Sequence, residues 1–129
     1  MKKNNTYDLK WQEIKYDIEL KIINMELKSG GKVPSVREIA RDYNVAKGTA
    51  VTVLTQLAEE GIIMKRADTT GYYVKPYTAT ALKNKHINNL KDAVEEIINK
   101  AKSMNANYEE VKPIRDLLEA YFNSLSSSE

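Results

Sequence analysis

The chain has 129 residues, 42% of them hydrophobic, and no cysteine, which fits one compact domain or a small domain with an appendage. This composition excludes a disordered chain, a disulfide framework and a thiolate metal site. The net charge of +2 does not indicate a nucleic-acid partner by itself. Residues 1–75 hold 13 basic and 10 acidic residues, and residues 76–129 hold 7 and 8, so the excess of positive charge lies in the first part and slightly favours a polyanionic partner there.

Apolar residues at three- and four-residue spacing predict a first helix from about Lys10 to Glu26. The following KSGGK contains paired glycines, which disfavour helix and permit a turn. A second helix is predicted to start at Ser35, because Ser35 and Glu38 have the spacing of a capping box. It is predicted to end at Asn44, a residue that tolerates the left-handed conformation.

A third helix is predicted from about Lys47 to Glu60, with Gly61 as its stop. Two strand-like runs, GIIMKRA and GYYVKPY, flank a short polar turn, which indicates a β-hairpin. Two further apolar stripes then predict two helices separated by MNAN, where Asn107 and Glu110 resemble a second capping box.

Three helices followed by a hairpin is the order of a winged helix-turn-helix, whose third helix enters the DNA major groove. We therefore predict a mostly α fold. Residues 8–76 form a winged helix-turn-helix of three helices plus a hairpin wing, and residues 77–126 form a two-helix dimerisation segment.

The charge pattern of the third helix agrees with this prediction. Lys47 is its only charge before Glu59 and Glu60 in the last turn. A groove-entering face must lack carboxylates because phosphates line both rims of the groove. Thr, Gln, Lys and Gly can instead exchange hydrogen bonds with phosphates and base edges.

The stretch GGKVPSVREIARDYNVAKGTAVTVLTQLAEEGII, with GYYV after it, resembles the DNA-binding domain of the GntR family of bacterial transcription regulators. VPSVREIA is its most specific part. The short remainder is similar to the YtrA-type subfamily, whose helical tail forms a homodimer. The resemblance implies that Arg37 contacts DNA at the start of the second helix. It also implies that Lys47 and Thr49 contact DNA from the third helix and that Gly71 is a wing glycine.

Three positions depart from the family pattern. The family commonly has arginine where this chain has Val51 and Thr52, and glycine where it has Thr69, so the expected positive charge is thinner and the wing tip bulkier. Lys65 and Arg66 are predicted to supply part of the missing charge. The predicted DNA-binding residues are Ser35, Val36, Arg37, Lys47, Gly48, Thr49, Thr52, Lys65, Arg66, Thr69, Thr70, Gly71 and Tyr72.

Simpler interpretations of these residues stay open. Arg37 could form a surface ion pair, Lys47 and Thr49 could be ordinary helix-start residues, and the hairpin residues could simply be solvated. His86 is the only histidine and is predicted to be a solvated residue near a helix start, without a metal.

The two C-terminal stripes are predicted to form a homodimer interface, since about 50 residues cannot make a large core alone. The alternative is that they close on each other within one monomer. The predicted interface residues are Ile87, Leu90, Val94, Ile97, Ala101, Ile114, Leu117, Leu118, Tyr121 and Phe122.

The sequence thus predicts a homodimeric repressor that binds an inverted-repeat operator in double-stranded DNA. The open alternative is a winged-helix protein-interaction module without specific DNA binding. We expect no enzyme, since no nucleophile–base set or phosphate-cradling loop is present, and no cofactor. The family resemblance implies a possible small-molecule effector. No secretory signal or membrane-spanning run is visible, which predicts a cytoplasmic protein.

Overall fold

The computed structural model describes residues 3–67 and 70–127, with side chains from 10 to 67 and from 70 to 125. The chain forms two compact units, one ending at His86 and one beginning at Ile87. None of the described helices combines the length and hydropathy that crossing a bilayer requires. The elements are α1 (Lys3–Ile23), α2 (Val36–Asp42), α3 (Lys47–Glu59), β1 (Ile63–Lys65), β2 (Tyr72–Val74), α4 (Thr78–Ser103) and α5 (Tyr108–Ser127).

Helix α1 begins at Lys3 and ends at Ile23, earlier at both ends than predicted. It ends early because Met25 takes a left-handed φ of 65°, and the Glu26 N–H turns back to the Lys21 carbonyl at 2.8 Å. The helix packs against α3. Its buried face contains Ile14, Ile18 and Ile22, each at most 2% exposed.

The predicted caps of α2 are confirmed. The Ser35 hydroxyl accepts a hydrogen bond from the Glu38 N–H at 3.1 Å, and the Glu38 carboxylate accepts one from the Ser35 N–H at 2.9 Å. Asn44 follows the helix with a φ of 54°. Between them, Tyr43 donates a hydrogen bond to Asp17 of α1. Burial and this bond raise the pKa of Tyr43.

Helix α3 packs against both α1 and α2, which places it at the centre of the first unit. Gly61, with a φ of 76°, ends it as predicted. The chain then turns into β1, with the Ile62 N–H donating to the Leu57 carbonyl at 3.0 Å. The inward residues are the predicted ones, Ala50, Val53, Leu54 and Leu57, each at most 4% exposed.

The wing is a short antiparallel hairpin. Ile63 pairs with Val74 and Lys65 pairs with Tyr72. Ile63 and Val74 are buried in the core, so the strands are fixed to the first unit at the end away from the turn.

The segment before α2 extends this hairpin on the β2 side, which the sequence did not predict. Lys32 forms an isolated antiparallel bridge with Tyr73. The Val33 N–H donates to the Tyr72 carbonyl at 2.9 Å. The wing therefore consists of three adjacent backbone segments.

A charge cluster centred on the buried Glu19 joins α1, the end of α3 and the start of α4. Glu19 is 1% exposed, and its carboxylate lies 2.6 Å from Lys15 Nζ and 2.6 Å from His86 Nε2. Lys15 lies 3.1 Å from Glu60, which Lys85 also reaches at 3.3 Å. Burial opposes the charge of Lys15, but its bonds to Glu19 and Glu60 outweigh this and raise its pKa above 10.5.

This cluster corrects the prediction for His86. The residue lies in the third turn of α4, not near its start, and its side chain is only 20% exposed. It contacts Glu19 and lies edge-on to Tyr16, with ring centres 5.2 Å apart. The first unit reaches to His86, beyond the boundary predicted at residue 76, because the first turns of α4 belong to its core through Leu82.

The second unit contains the rest of α4 and all of α5. The predicted cap of α5 is confirmed. The Glu110 N–H donates to Asn107 Oδ1 at 2.9 Å, and the Asn107 N–H donates to the Glu110 carboxylate at 3.0 Å. Asn105 ends the preceding turn with a φ of 54°.

Candidate nucleic-acid interface

Two cations lie at the starts of α2 and α3. Arg37 and Lys47 are exposed, and neither forms an ion pair with the residues that the structure describes. By contrast, Arg41 is held by Asp42 at 2.9 Å. The described contacts therefore give no support to the interpretation of Arg37 as a surface ion pair, and both cations are accessible to phosphates.

The acidic residue in the first turn of α2 is fixed within the helix cap. The backbone hydrogen bond from Ser35 is the largest contribution that lowers the pKa of Glu38 below 4.5, with smaller ones from Arg41 and Lys32. Glu38 therefore stays ionised near neutral pH, and its carboxylate accepts the Ser35 N–H of the cap.

The first turn of α3 exposes backbone. Ala46 at the N-cap makes no side-chain cap hydrogen bond, so the leading N–H groups are open to a phosphate. Gly48 is exposed, and a Cβ placed there would meet nothing within 4 Å. A duplex can therefore approach the main chain closely at this turn.

Thr49 does not fit the predicted contact set. It is only 5% exposed, because the helical period places it on the same face as the buried Val53, four residues later. Its side chain is thus mostly part of the packed interior, which does not favour the predicted contact of Thr49 with DNA. Gly48 and Val51, which flank this position along the helix, are exposed.

The middle of α3 presents a neutral surface. Val51 is 48% exposed, and Thr55 is also exposed. Thr52 is half-buried, and its hydroxyl donates to the Gly48 carbonyl at 3.1 Å. Positive charge for a duplex must therefore come from the ends of this surface.

Both predicted wing cations are held against tyrosine rings. The Arg66 guanidinium lies 4.0 Å from the centre of the Tyr73 ring, and its Nη2 donates to the Gly30 carbonyl at 3.0 Å. Lys65 Nζ lies 5.3 Å from the centre of the Tyr72 ring. Lys65 and Arg66 remain exposed, so these contacts position their charges without removing them from solvent.

Other predicted contact residues differ in what they can offer. The Ser35 hydroxyl and N–H are both used in the cap, and the Val36 side chain packs against the core. Thr70 is exposed, and Gly71 has a φ of 87°. Thr69 lies outside the described residues.

Comparison with known families identifies the domain. Residues 10–74 match the family described as "Bacterial regulatory proteins, gntR family". The chain belongs to the GntR family. It is thus a member of a family of transcriptional regulators with a DNA-binding helix-turn-helix domain.

One curated relative of this GntR chain is the uncharacterized HTH-type transcriptional regulator YdfD of Bacillus subtilis (strain 168), 39% identical over 54 residues. The match covers 42% of this chain and 11% of YdfD. The chain thus spans about a tenth of that relative's length.

Solved structures share the fold over most of the chain. A GntR family transcriptional regulator from Listeria monocytogenes is 24% identical with a TM-score of 0.64, covering 82% of this chain and 91% of that one. A transcriptional regulator from Oenococcus oeni is 20% identical with a TM-score of 0.68, covering 84% and 89%. The predicted fold class, a winged helix with C-terminal helices, is confirmed.

The predicted dimerisation residues are accessible in this GntR chain. Their exposed fractions run from 36% at Val94 to 74% at Leu117, except at the half-buried Ala101. The predicted residues in this range are Ile87, Leu90, Val94, Ile97, Ile114, Leu117, Leu118, Tyr121 and Phe122.

Within the described ranges, no group of three or more His, Cys, Asp or Glu side chains is arranged to hold a metal ion. The charged cluster around Glu19 consists instead of paired acids and bases. Its physical role is to hold helices together.

Proposed function

We propose that this GntR-family chain is a sequence-specific repressor that binds an inverted-repeat operator as a homodimer. The observation that carries the proposal is the surface at the starts of α2 and α3. There the exposed cations Arg37 and Lys47 make no described ion pair, and Gly48 leaves the main chain open. Such a surface lets phosphates position the protein while α3 meets base edges.

The second unit supports the homodimer. Isolated apolar residues on a surface are normal, but a continuous exposed apolar face indicates an interaction site. A two-fold axis would place two α3 helices about one helical turn, or 10 base pairs, apart on DNA. The short helical second unit is also the reason to place the chain in the YtrA-like subfamily. A regulator of bacterial DNA acts in the cytoplasm, so we place the chain there.

Repression would follow from occupancy, since a dimer seated across a promoter excludes polymerase. A small-molecule effector could release it only by binding two arrangements of the dimer with different affinities. The apolar face of α4 and α5 is where such arrangements would differ.

One observation favours a different function. The exposed Val51 stands in the middle of α3, where the family commonly has arginine. A neutral apolar residue there suits a protein partner, so a winged-helix protein-interaction module is the second candidate.

Selection of bound duplexes from a random pool, followed by titration of the selected duplex, tests the proposal. We expect an inverted repeat, and we expect Arg37→Ala to weaken binding about 10- to 100-fold, equivalent to about 1–3 kcal/mol. Lys83→Ala removes an exposed lysine of α4 and serves as the control, with binding unchanged. Equal binding to the selected and a scrambled duplex would favour the protein-interaction module.

A further inference from the structure

We propose that Lys32 is a DNA-phosphate contact and that the backbone segment carrying it belongs to the DNA-binding surface. This inference rests on the proposed DNA-binding function. Lys32 lies before α2 in a loop, outside the motif residues that predict DNA contact, and only the pairing of its backbone brings it to the wing.

The geometry directs the Lys32 side chain toward the wing turn. Its backbone pairs with Tyr73, and a Cβ built on Gly71 would lie 3.3 Å from Lys32 Cε. The ammonium is one bond beyond that carbon. The aliphatic stem of Lys32 therefore passes beside Gly71, the first residue before β2, and delivers its charge there.

The charge of Lys32 is available. The residue is exposed, and none of the described ion pairs or ring contacts includes it. The charge of Lys32 helps to lower the pKa of Glu38, but the Glu38 carboxylate already accepts a hydrogen bond from the Ser35 N–H. Arg66 differs, because Gly30 and Tyr73 hold its guanidinium in place.

A lysine suits this role because its ammonium is a compact point charge that binds phosphate without a fixed geometry. The need for such a charge follows from α3, whose exposed middle is neutral at Val51 and Thr55. Lys32 and the wing cations lie outside α3. They would supply part of the attraction to phosphates that α3 lacks.

The test compares Lys32→Ala with Lys75→Ala by fluorescence anisotropy, using the duplex selected by the wild type and a scrambled duplex. Lys75 is the matched control because it is an exposed lysine directly after β2. Its Nζ lies 4.0 Å from a Cβ built on Gly61, at the end of α3 away from Lys47. Salt is varied from about 50 to 200 mM, the range where phosphate contacts dominate.

We expect Lys32→Ala to reduce the magnitude of the salt slope by about 1 and to weaken binding about five-fold near 0.15 M salt, since one phosphate contact contributes a slope of about 0.9. Both duplexes should be affected equally, because a phosphate contact carries no sequence information. Lys32→Arg should retain the slope, and Lys75→Ala should match the wild type. Lys32→Gln, with a similar stem, guards against a folding defect in the alanine variant.

An unchanged salt slope in both Lys32→Ala and Lys32→Gln would overturn the inference, as would a loss confined to the selected duplex. Arg37→Ala, measured in the same series, separates the two proposals. If it loses binding while the Lys32 variants do not, the DNA-binding function stands and the Lys32 contact fails. If the wild type itself prefers no duplex, the proposed function has failed.

Discussion

Glycine at position 48 costs helix stability but leaves the main chain accessible. It lies in the first turn of α3, where glycine is unfavourable because it loses more backbone entropy than alanine on folding. Nothing within 4 Å would obstruct a Cβ there. Packing within the chain therefore does not explain the glycine, whereas the proposed close approach of a duplex to the main chain would.

Gly48→Ala is expected to separate stability from binding. Folding should become more favourable by roughly 0.5–1 kcal/mol, the usual difference between glycine and alanine within a helix. The selected duplex should bind at least tenfold more weakly, because the added methyl group occupies the space that the duplex needs. Urea unfolding and anisotropy titration measure the two quantities. A stabilised variant that binds DNA like the wild type would contradict a backbone contact at Gly48.

At the element scale, the cluster around Glu19 connects three helices through a chain of ion pairs. Lys15 is on the same helix, and His86 is on α4. Glu60, at the end of α3, joins through Lys15. A buried carboxylate needs such partners, because an unpaired charge in the interior is costly.

Removing one partner should therefore destabilise the chain strongly. We expect Glu19→Ala to reduce the free energy of unfolding by about 3–5 kcal/mol, the usual cost of breaking a buried pair. His86→Ala should cost less, about 1–3 kcal/mol, because Glu19 keeps Lys15. Glu13→Ala removes an exposed carboxylate of the same helix and should lie within about 0.5 kcal/mol of wild type. Urea unfolding in which Glu19→Ala matched Glu13→Ala would show that the cluster does not stabilise the fold.

The elements that the sequence predicts correctly are those determined locally. The capping boxes at Ser35 and Asn107 involve residues three positions apart, and the apolar stripes need only helical spacing. The pairing of Lys32 with the wing could not be predicted, since strand pairing depends on distant partners. The same holds for Glu19 and His86, which are 67 residues apart.

The candidate site shows the same division between local and distant information. A motif gives positions along the chain, so Arg37 and Lys47 are found on the surface where the resemblance puts them. The motif does not give burial, and Thr49 is removed from the surface by the packing of α3. The contacts of Arg66 with Gly30 and Tyr73 likewise follow from the third segment of the wing.

At the scale of the whole molecule, the two units differ in how they bury apolar residues. The first unit has a core of nearly inaccessible side chains, such as Ile39 and Leu57 at 0% exposed. In the second unit, Leu90 is 61% and Leu118 is 55% exposed. Leaving a leucine in water forgoes about 1.5–3 kcal/mol, so covering these residues with a second copy would release substantial free energy.

Leu90→Asp and Leu118→Asp are therefore expected to weaken the homodimer about 100-fold or more. Two-fold symmetry places each change in the interface twice, and every 1.4 kcal/mol lost corresponds to about a tenfold change in the dissociation constant. Specific binding to an inverted repeat should fall in parallel, because a monomer has one α3 and can bind only one half-site at a time.

Asn99→Asp and Ala120→Asp add the same carboxylate to the opposite faces of α4 and α5, and we expect both to remain dimeric. Sedimentation equilibrium measures the association, and anisotropy on the same samples measures DNA binding. Wild-type chains that sediment as monomers at micromolar concentration, yet occupy a full inverted repeat with high affinity, would contradict the dependence of operator recognition on this apolar face. The four variants thus separate the effect of a new charge from the effect of its position. The dimer proposal requires that only charges placed on the apolar face weaken the association.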